Sequence, residues 1–311
     1  MIRRLVMLLF PLFLSVAHLA HSQEVRKIVF LAGKPSHGYG AHEHLAGCRI
    51  LADTIERAMG RAVECVVLSN GWPADESILD DADTIVMYCD GGDRHPALPH
   101  LETLGKQMDR GAGFVCLHYA VEVPKDKAGA EFLRWLGGYF ETHWSVNPHW
   151  TAQYIELPEH PITRGVPPFS ANDEWYFHMR FPQDMQGVTP ILSAVPPPET
   201  MRRPDGPHSG NPTVRKEVAE GRPQITAWAF ARPNGGRSFG FTGGHVHWNW
   251  GRPEMLRLVG NAIVWTAHLP VPEQGLAIDA PAVGELAEGQ DEPTPPQLNL
   301  EDIAKQFQLR K

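Results

Sequence analysis

The chain has 311 residues, enough for one large domain with a sizeable core, and its 28 basic residues against 36 acidic ones leave a net charge of −8. Such a surface speaks against nucleic acid or an anionic membrane as a partner. Four cysteines in a chain this long do not make a disulfide framework. Cys65, Cys89 and Cys116 lie in apolar runs, where buried free thiols are expected, although an oxidising compartment leaves a disulfide between two of them open.

Residues 1–22 combine Arg3 and Arg4, an apolar run from Leu5 to Val16 and small residues at Ala20 and Ser22. This pattern predicts an export signal cut before Gln23, and hence a periplasmic or secreted protein. The run falls short of the ~20 residues of a bilayer span, so no membrane association is expected after cleavage.

Apolar strand signals then alternate with helical patterns, the signature of a mostly parallel sheet covered on both faces. Strands are expected at 27–32, 62–68, 84–89 and 113–117, with helices at 42–59 and 98–110. Antiparallel strands are expected at 151–157, 174–181 and 189–195. Residues 196–221 read as a long surface insertion, 224–231 and 237–242 as a hairpin, and 253–268 as a final helix with Pro253 in its first turn. The α/β domain would span 24–269. A Pro-, Ala- and Glu-rich disordered linker over 270–297 and a short helix or tail over 298–311 would follow.

The most telling segment is Gly111-Ala-Gly-Phe-Val-Cys-Leu-His118-Tyr-Ala120, where an apolar strand breaks into a helix-forming turn and places His118 at the break. In open α/β sheets that edge binds ligands. His37, His95, His245 and His247 also follow predicted strands, so imidazoles distant in sequence would converge there. Neutral imidazole is a common ligand of zinc-like ions, and three protein ligands with an open position make a catalytic site. His37, His118 and His245 would supply that set, with either His245 or His247 pointing inward. His42-Glu-His44 lacks the spacing of the H-E-x-x-H zinc motif. Aromatic side chains gather nearby, and Tyr119, Trp144 and Trp150 suit the faces and rims of a sugar, whereas Trp175 and Trp248 are expected in the core. Asp90 begins the glycine-rich loop Asp90-Gly-Gly-Asp93, which fits neither G-x-G-x-x-G nor a P-loop, so no nucleotide cofactor is expected.

The His37 loop, residues 113–120, Gly137-Gly-Tyr-Phe-Glu-Thr-His143, His160-Pro-Ile-Thr-Arg-Gly-Val166, Asp173-Glu-Trp-Tyr176 and Gly243-Gly-His245 occur in this order. In them the chain resembles the trehalose-utilisation (ThuA)-like family, a branch of the class I glutamine amidotransferase-like superfamily. The resemblance implies a three-layer flavodoxin-like sheet with added antiparallel strands. It also brings forward Glu174 as a carboxylate ligand or base and His143 as a substrate contact. Amidotransferases carry Gly-x-Cys-x-Gly at the elbow, and here that register reads Cys116-Leu-His118-Tyr-Ala120, so a glutaminase is not expected. Cys116 lies two residues deeper in the strand and is expected to be structural.

The family's association with oxidised disaccharides implies a keto-sugar substrate. The expected enzyme would remove a proton beside the ketone, leading to isomerisation or elimination, with His118, Glu174 and His245 as catalytic groups and a bound divalent metal as electrophile. Tyr119, His143, Trp144, Trp150 and Asp90 would bind the carbohydrate. A non-catalytic carbohydrate-binding domain and a metal-dependent hydrolase are the competing expectations. The chain is compatible with an oligomer.

Overall fold

The computed structural model describes residues 24–311; the expected export signal lies outside the described residues. A seven-stranded sheet runs in the order β2 (Val63–Leu68), β1 (Arg26–Ala32), β3 (Thr84–Tyr88), β4 (Gly113–Leu117), β9 (Arg237–Phe241), β8 (Gln224–Ala231), β7 (Val188–Ala194). The first five are parallel, and β8 and β7 continue the sheet antiparallel. A separate pair, β5 (Trp150–Tyr154) and β6 (Phe169–Asp173), is antiparallel.

The central strands are apolar throughout because both faces are covered, and their side chains alternate between two cores. Phe30, Val86, Tyr88, Val115, Leu117 and Phe241 pack towards α1 (His44–Met59) and α5 (Pro253–Thr266). Leu31, Ile85, Met87, Phe114 and Cys116 face α2 (Leu101–Asp109) and α3 (Ala130–Leu136). Fully burying each large apolar side chain contributes roughly 1.5–3 kcal/mol. All four cysteines are free, and burial pushes the Cys116 thiol well up, consistent with a structural role.

Three segments depart from the sequence expectation. The strand expected over 174–181 lies earlier, as β6. The stretch after it is held by isolated bridges, Val146 to Phe177 and Tyr139 to Arg180. The 196–221 insertion is not a loose excursion, because α4 (Pro212–Ala219) forms within it, capped by the Asn211 side chain accepting from Thr213 and Val214 N–H.

The third departure is the 270–297 segment, expected to be disordered. Its few apolar residues each find a place, leaving Leu276 and Leu286 at 1% and 0% exposure. Leu276 is also held through its backbone, donating to Asn261 Oδ1 and accepting from Arg257 Nε. This segment carries α6 (Val283–Ala287), and α7 (Leu300–Phe307) follows, packing Leu300, Ile303 and Phe307 on the core. A low apolar count did not mean a low docked fraction. No described helix is long and apolar enough to cross a membrane.

Candidate metal centre

Because the connection after β1 runs to β2 on one side and the connection after β3 runs to β4 on the other, a crevice opens between β1 and β3 at the carboxyl edge of the sheet. The loops after β1, β3, β4 and β9 meet there, bringing His42, Asp90, His118 and His245 together. Glu174, one residue beyond β6, closes the group from the second sheet. One ligand atom from each of His42, His118, Glu174 and His245 lies within 4.8 Å of the others.

His118 sits in the left-handed region, at φ +54°, as the residue of a sharp strand-to-turn elbow. The turn around it needs Gly91, whose missing side chain lets the loop after β3 pass against the Tyr119 and Glu122 carbonyls. His95 buttresses the same turn from beneath, with Nε2 donating to Ala120 O and Nδ1 accepting from Ala97 N–H. That histidine is structural.

The hydrogen bonds behind the clustered imidazoles bear on where their protons lie. His118 Nδ1 is 2.9 Å from Thr242 O, and a carbonyl can only accept, so Nδ1 carries a proton and, in the neutral ring, Nε2 keeps its lone pair. His42 Nδ1 donates to Asp90 Oδ1 at 3.1 Å, which leaves its Nε2 bare as well. Burial alone would raise the Asp90 carboxyl, but hydrogen bonds from His42 and Ser36 outweigh it and hold the group at about 2. The two bare Nε2 atoms face each other at 3.0 Å, and His245 Nδ1 lies 3.0 Å from His42 Nε2.

Burial drives His42 down to about 2 against the pull of Asp90, and the neighbouring His118 and His245 push the same way. Burial pushes Glu174 upward, but wherever the facing His118 or His245 nitrogen carries a proton, hydrogen bonding to it wins and keeps the carboxyl well below the usual carboxylate range. Its Oε2 is 3.0 Å from His245 Nδ1 and 3.5 Å from His118 Nε2. The Tyr176 hydroxyl is 3.2 Å from His118 Nε2.

Asp173, which opens the Asp173-Glu-Trp-Tyr176 motif, is fully buried behind this cluster. Its carboxylate accepts from the N–H groups of Glu174, Gly244 and Val246 and from Asn249 Nδ2. One side chain thereby fixes the backbone on both sides of the site. Gly244, at φ +103°, makes the turn that Asp173 clamps.

The family model for ThuA, described as trehalose utilisation, matches residues 34–266, a span that contains every residue of this cluster. The chain belongs to the ThuA family. Membership implies a carbohydrate-related role. Among solved structures, a ThuA-like protein from Bacteroides uniformis ATCC 8492 is 18% identical, with a TM-score of 0.52 over 81% of this chain and 94% of that one, and shares the fold. The mmIFT52 N-terminal domain is 11% identical, with a TM-score of 0.42 over 71% of this chain and 87% of that one. No curated protein matches the chain.

Within this ThuA-family protein His118, His245 and Glu174 come together with His42, whereas His37 stands at the pocket rim in a second group, with His42 and Asp90. The Gly38–Gly40 turn leaves His37 exposed at the rim, its ring 3.6 Å from that of His42. His42 takes the inner place because its N–H donates to His245 O and the adjoining Ala41 bridges Val246. Spacing alone did not disclose it; its place at the end of a βα loop, just ahead of a helix, was the available signal. His247 points away, fully buried, with Nε2 donating to Leu286 O.

Tyr119, with burial pushing its hydroxyl up to about 12, lines a pocket of about 320 Å³ over the cluster, beside Asn147, Tyr176, Arg203 and His208. The other expected sugar contacts lie elsewhere. Trp150 is buried, its Nε1 donating to Trp175 O. Trp144 is enclosed between the Arg180 guanidinium at 3.8 Å and the His178 ring at 4.2 Å. His143 is exposed outside the pocket, its backbone N–H tied to Pro207 O. Asp90 serves His42 from behind and lines an adjoining cleft of about 510 Å³ with Lys34, Trp72 and Arg94.

Proposed function

We propose that the pocket is a divalent-metal centre of a carbohydrate-catabolic enzyme, acting on a keto-sugar or oxidised disaccharide by proton abstraction that leads to isomerisation or elimination. The observation that carries this reading is the 3.0 Å approach of the His42 and His118 Nε2 atoms, both with their protons on the far side of the ring. Two lone pairs at that distance repel unless a cation lies between them. A zinc-like ion suits the donor set, because ligands at ~2.1 Å on adjacent coordination positions stand ~3.0–3.4 Å apart.

His42, His118 and His245 would hold the ion, each of the first two oriented by a hydrogen bond to its other nitrogen. Bound there, a divalent ion would polarise a sugar carbonyl and acidify the neighbouring C–H. Glu174, ionised and in reach of His118 and His245, is the group placed either to complete the ligand set or to take the proton. Tyr119 and Asn147 offer a hydroxyl and an amide to the sugar rim. The arginine-led apolar start of the chain adds a periplasmic or secreted location to the proposal.

Elemental analysis of protein purified without chelator tests the centre. Near-stoichiometric metal in the wild type and its loss in His42→Ala and His118→Ala are expected; metal-free wild type overturns the reading. Incubation with a 3-keto-disaccharide in deuterated water tests the chemistry. Proton abstraction exchanges a carbon-bound hydrogen, a hydrolase releases product without exchange, and a binding domain does neither.

A further inference from the structure

The insertion between β7 and β8 supplies one wall of the pocket, and with it a cation that no carboxylate answers. Arg203 lines the pocket over the histidine cluster. Its Nη2 donates to Asn147 Oδ1 at 2.8 Å and to His208 O at 3.1 Å, which sets the plane of the guanidinium. Neighbouring arginines are neutralised, Arg202 by Glu199 and Arg215 by Asp205. Among the described residues Arg203 has no such ion pair. His208, the other basic group of this wall, is spoken for by Glu122 at 2.9 Å.

We propose that Arg203 reads a carboxylate on the substrate, so that the pocket takes a sugar acid in preference to a neutral sugar. This deepens the function proposed above and rests on it for the opposite, metal-binding end of the ligand. A guanidinium already held in one plane through Nη2 keeps its Nε–H and Nη1 N–H groups free to donate singly to a carboxylate at little further entropic cost. The protein's net charge of −8 repels anions at long range, so an uncompensated cation at the pocket mouth stands out as a local attractor. Lys34 adds a further cation at the adjoining cleft, where Arg94 is paired with Asp90 at 3.9 Å.

Titration calorimetry of zinc-loaded protein with D-glucuronate and with D-glucose tests this. Glucuronate should bind about tenfold more tightly to the wild type. Arg203→Gln should remove that preference and leave glucose unchanged, and Arg203→Lys should restore part of it. Equal affinities in the wild type, or a preference that survives Arg203→Gln, overturn the proposal. Zinc content measured on the same samples separates the two readings. A zinc-free wild type defeats the metal centre, while a glucuronate preference that Arg203→Gln abolishes supports the Arg203 assignment with or without zinc.

Discussion

Four donors converge on the buried Asp173 carboxylate, three of them backbone amides on the two segments that carry Glu174 and His245. Asparagine at this position is nearly the same size but turns one acceptor oxygen into a donor. At least one buried N–H would then face another. Asp173→Asn should destabilise the fold by roughly 2–4 kcal/mol, the cost of an unsatisfied buried donor together with lost charge-assisted bonds. Urea unfolding measures it, and an unchanged midpoint would mean that the clamp is energetically idle. At this scale the sequence was only partly legible. The positions of His118 and His245 follow from where apolar strands end. The inward turn of His42 depends on left-handed backbone at His37 and His42, φ +67° and +52°, which spacing does not encode. The burial of Asp173 depends on partners more than seventy positions away.

Among the elements, residues 139–146, which lead into the pocket residue Asn147, are tied to the segment after β6 through Glu141. That carboxylate accepts from Arg180 at 2.8 and 2.9 Å, from the Tyr139 hydroxyl and from Lys125. Burial alone would raise its pKa, but hydrogen bonds from Arg180, Tyr139 and Lys125 lower it to about 2. A carboxyl held below its unfolded value contributes stability that is complete above about pH 4.5 and fades as pH falls towards 2. Glu141→Gln should therefore flatten the acid limb of the stability profile between those limits, leaving its slope near neutrality alone; urea midpoints taken across pH would show it. The β-strands of the parallel sheet were legible nearly to the residue, because strands buried on both faces are apolar without interruption. The 270–297 segment was not, since Leu276 docks alone and Val283 and Leu286 share a helix of only five residues, too short to make a periodic pattern.

For the whole molecule, the proposed ion ties loops from both sheets together, so it should act as a stabilising ligand as well as a catalytic one. An ion that binds only the folded chain, at a hundred times its dissociation constant, adds about 2.7 kcal/mol. For a domain of this size that corresponds to a rise in Tm of about 5–10 °C. Calorimetric scans with zinc and with chelator should differ by this amount in the wild type and coincide in His42→Ala. Coincident scans in the wild type would remove the ion from the architecture. The segment from α6 onwards reaches the same centre by another route. Gln290 Oε1 accepts from Gly40 N–H, Glu43 accepts from Asp291 N–H, and the Tyr39 hydroxyl donates to Ala287 O, each across some 250 positions of chain. These bonds grip the loop that carries His42. During synthesis the loop emerges early and must wait for its clasp, because contacts of such long sequence separation form last. The order of translation thus gives the protein a built-in delay: a nascent chain can fold its sheet well before it owns a finished ligand pocket.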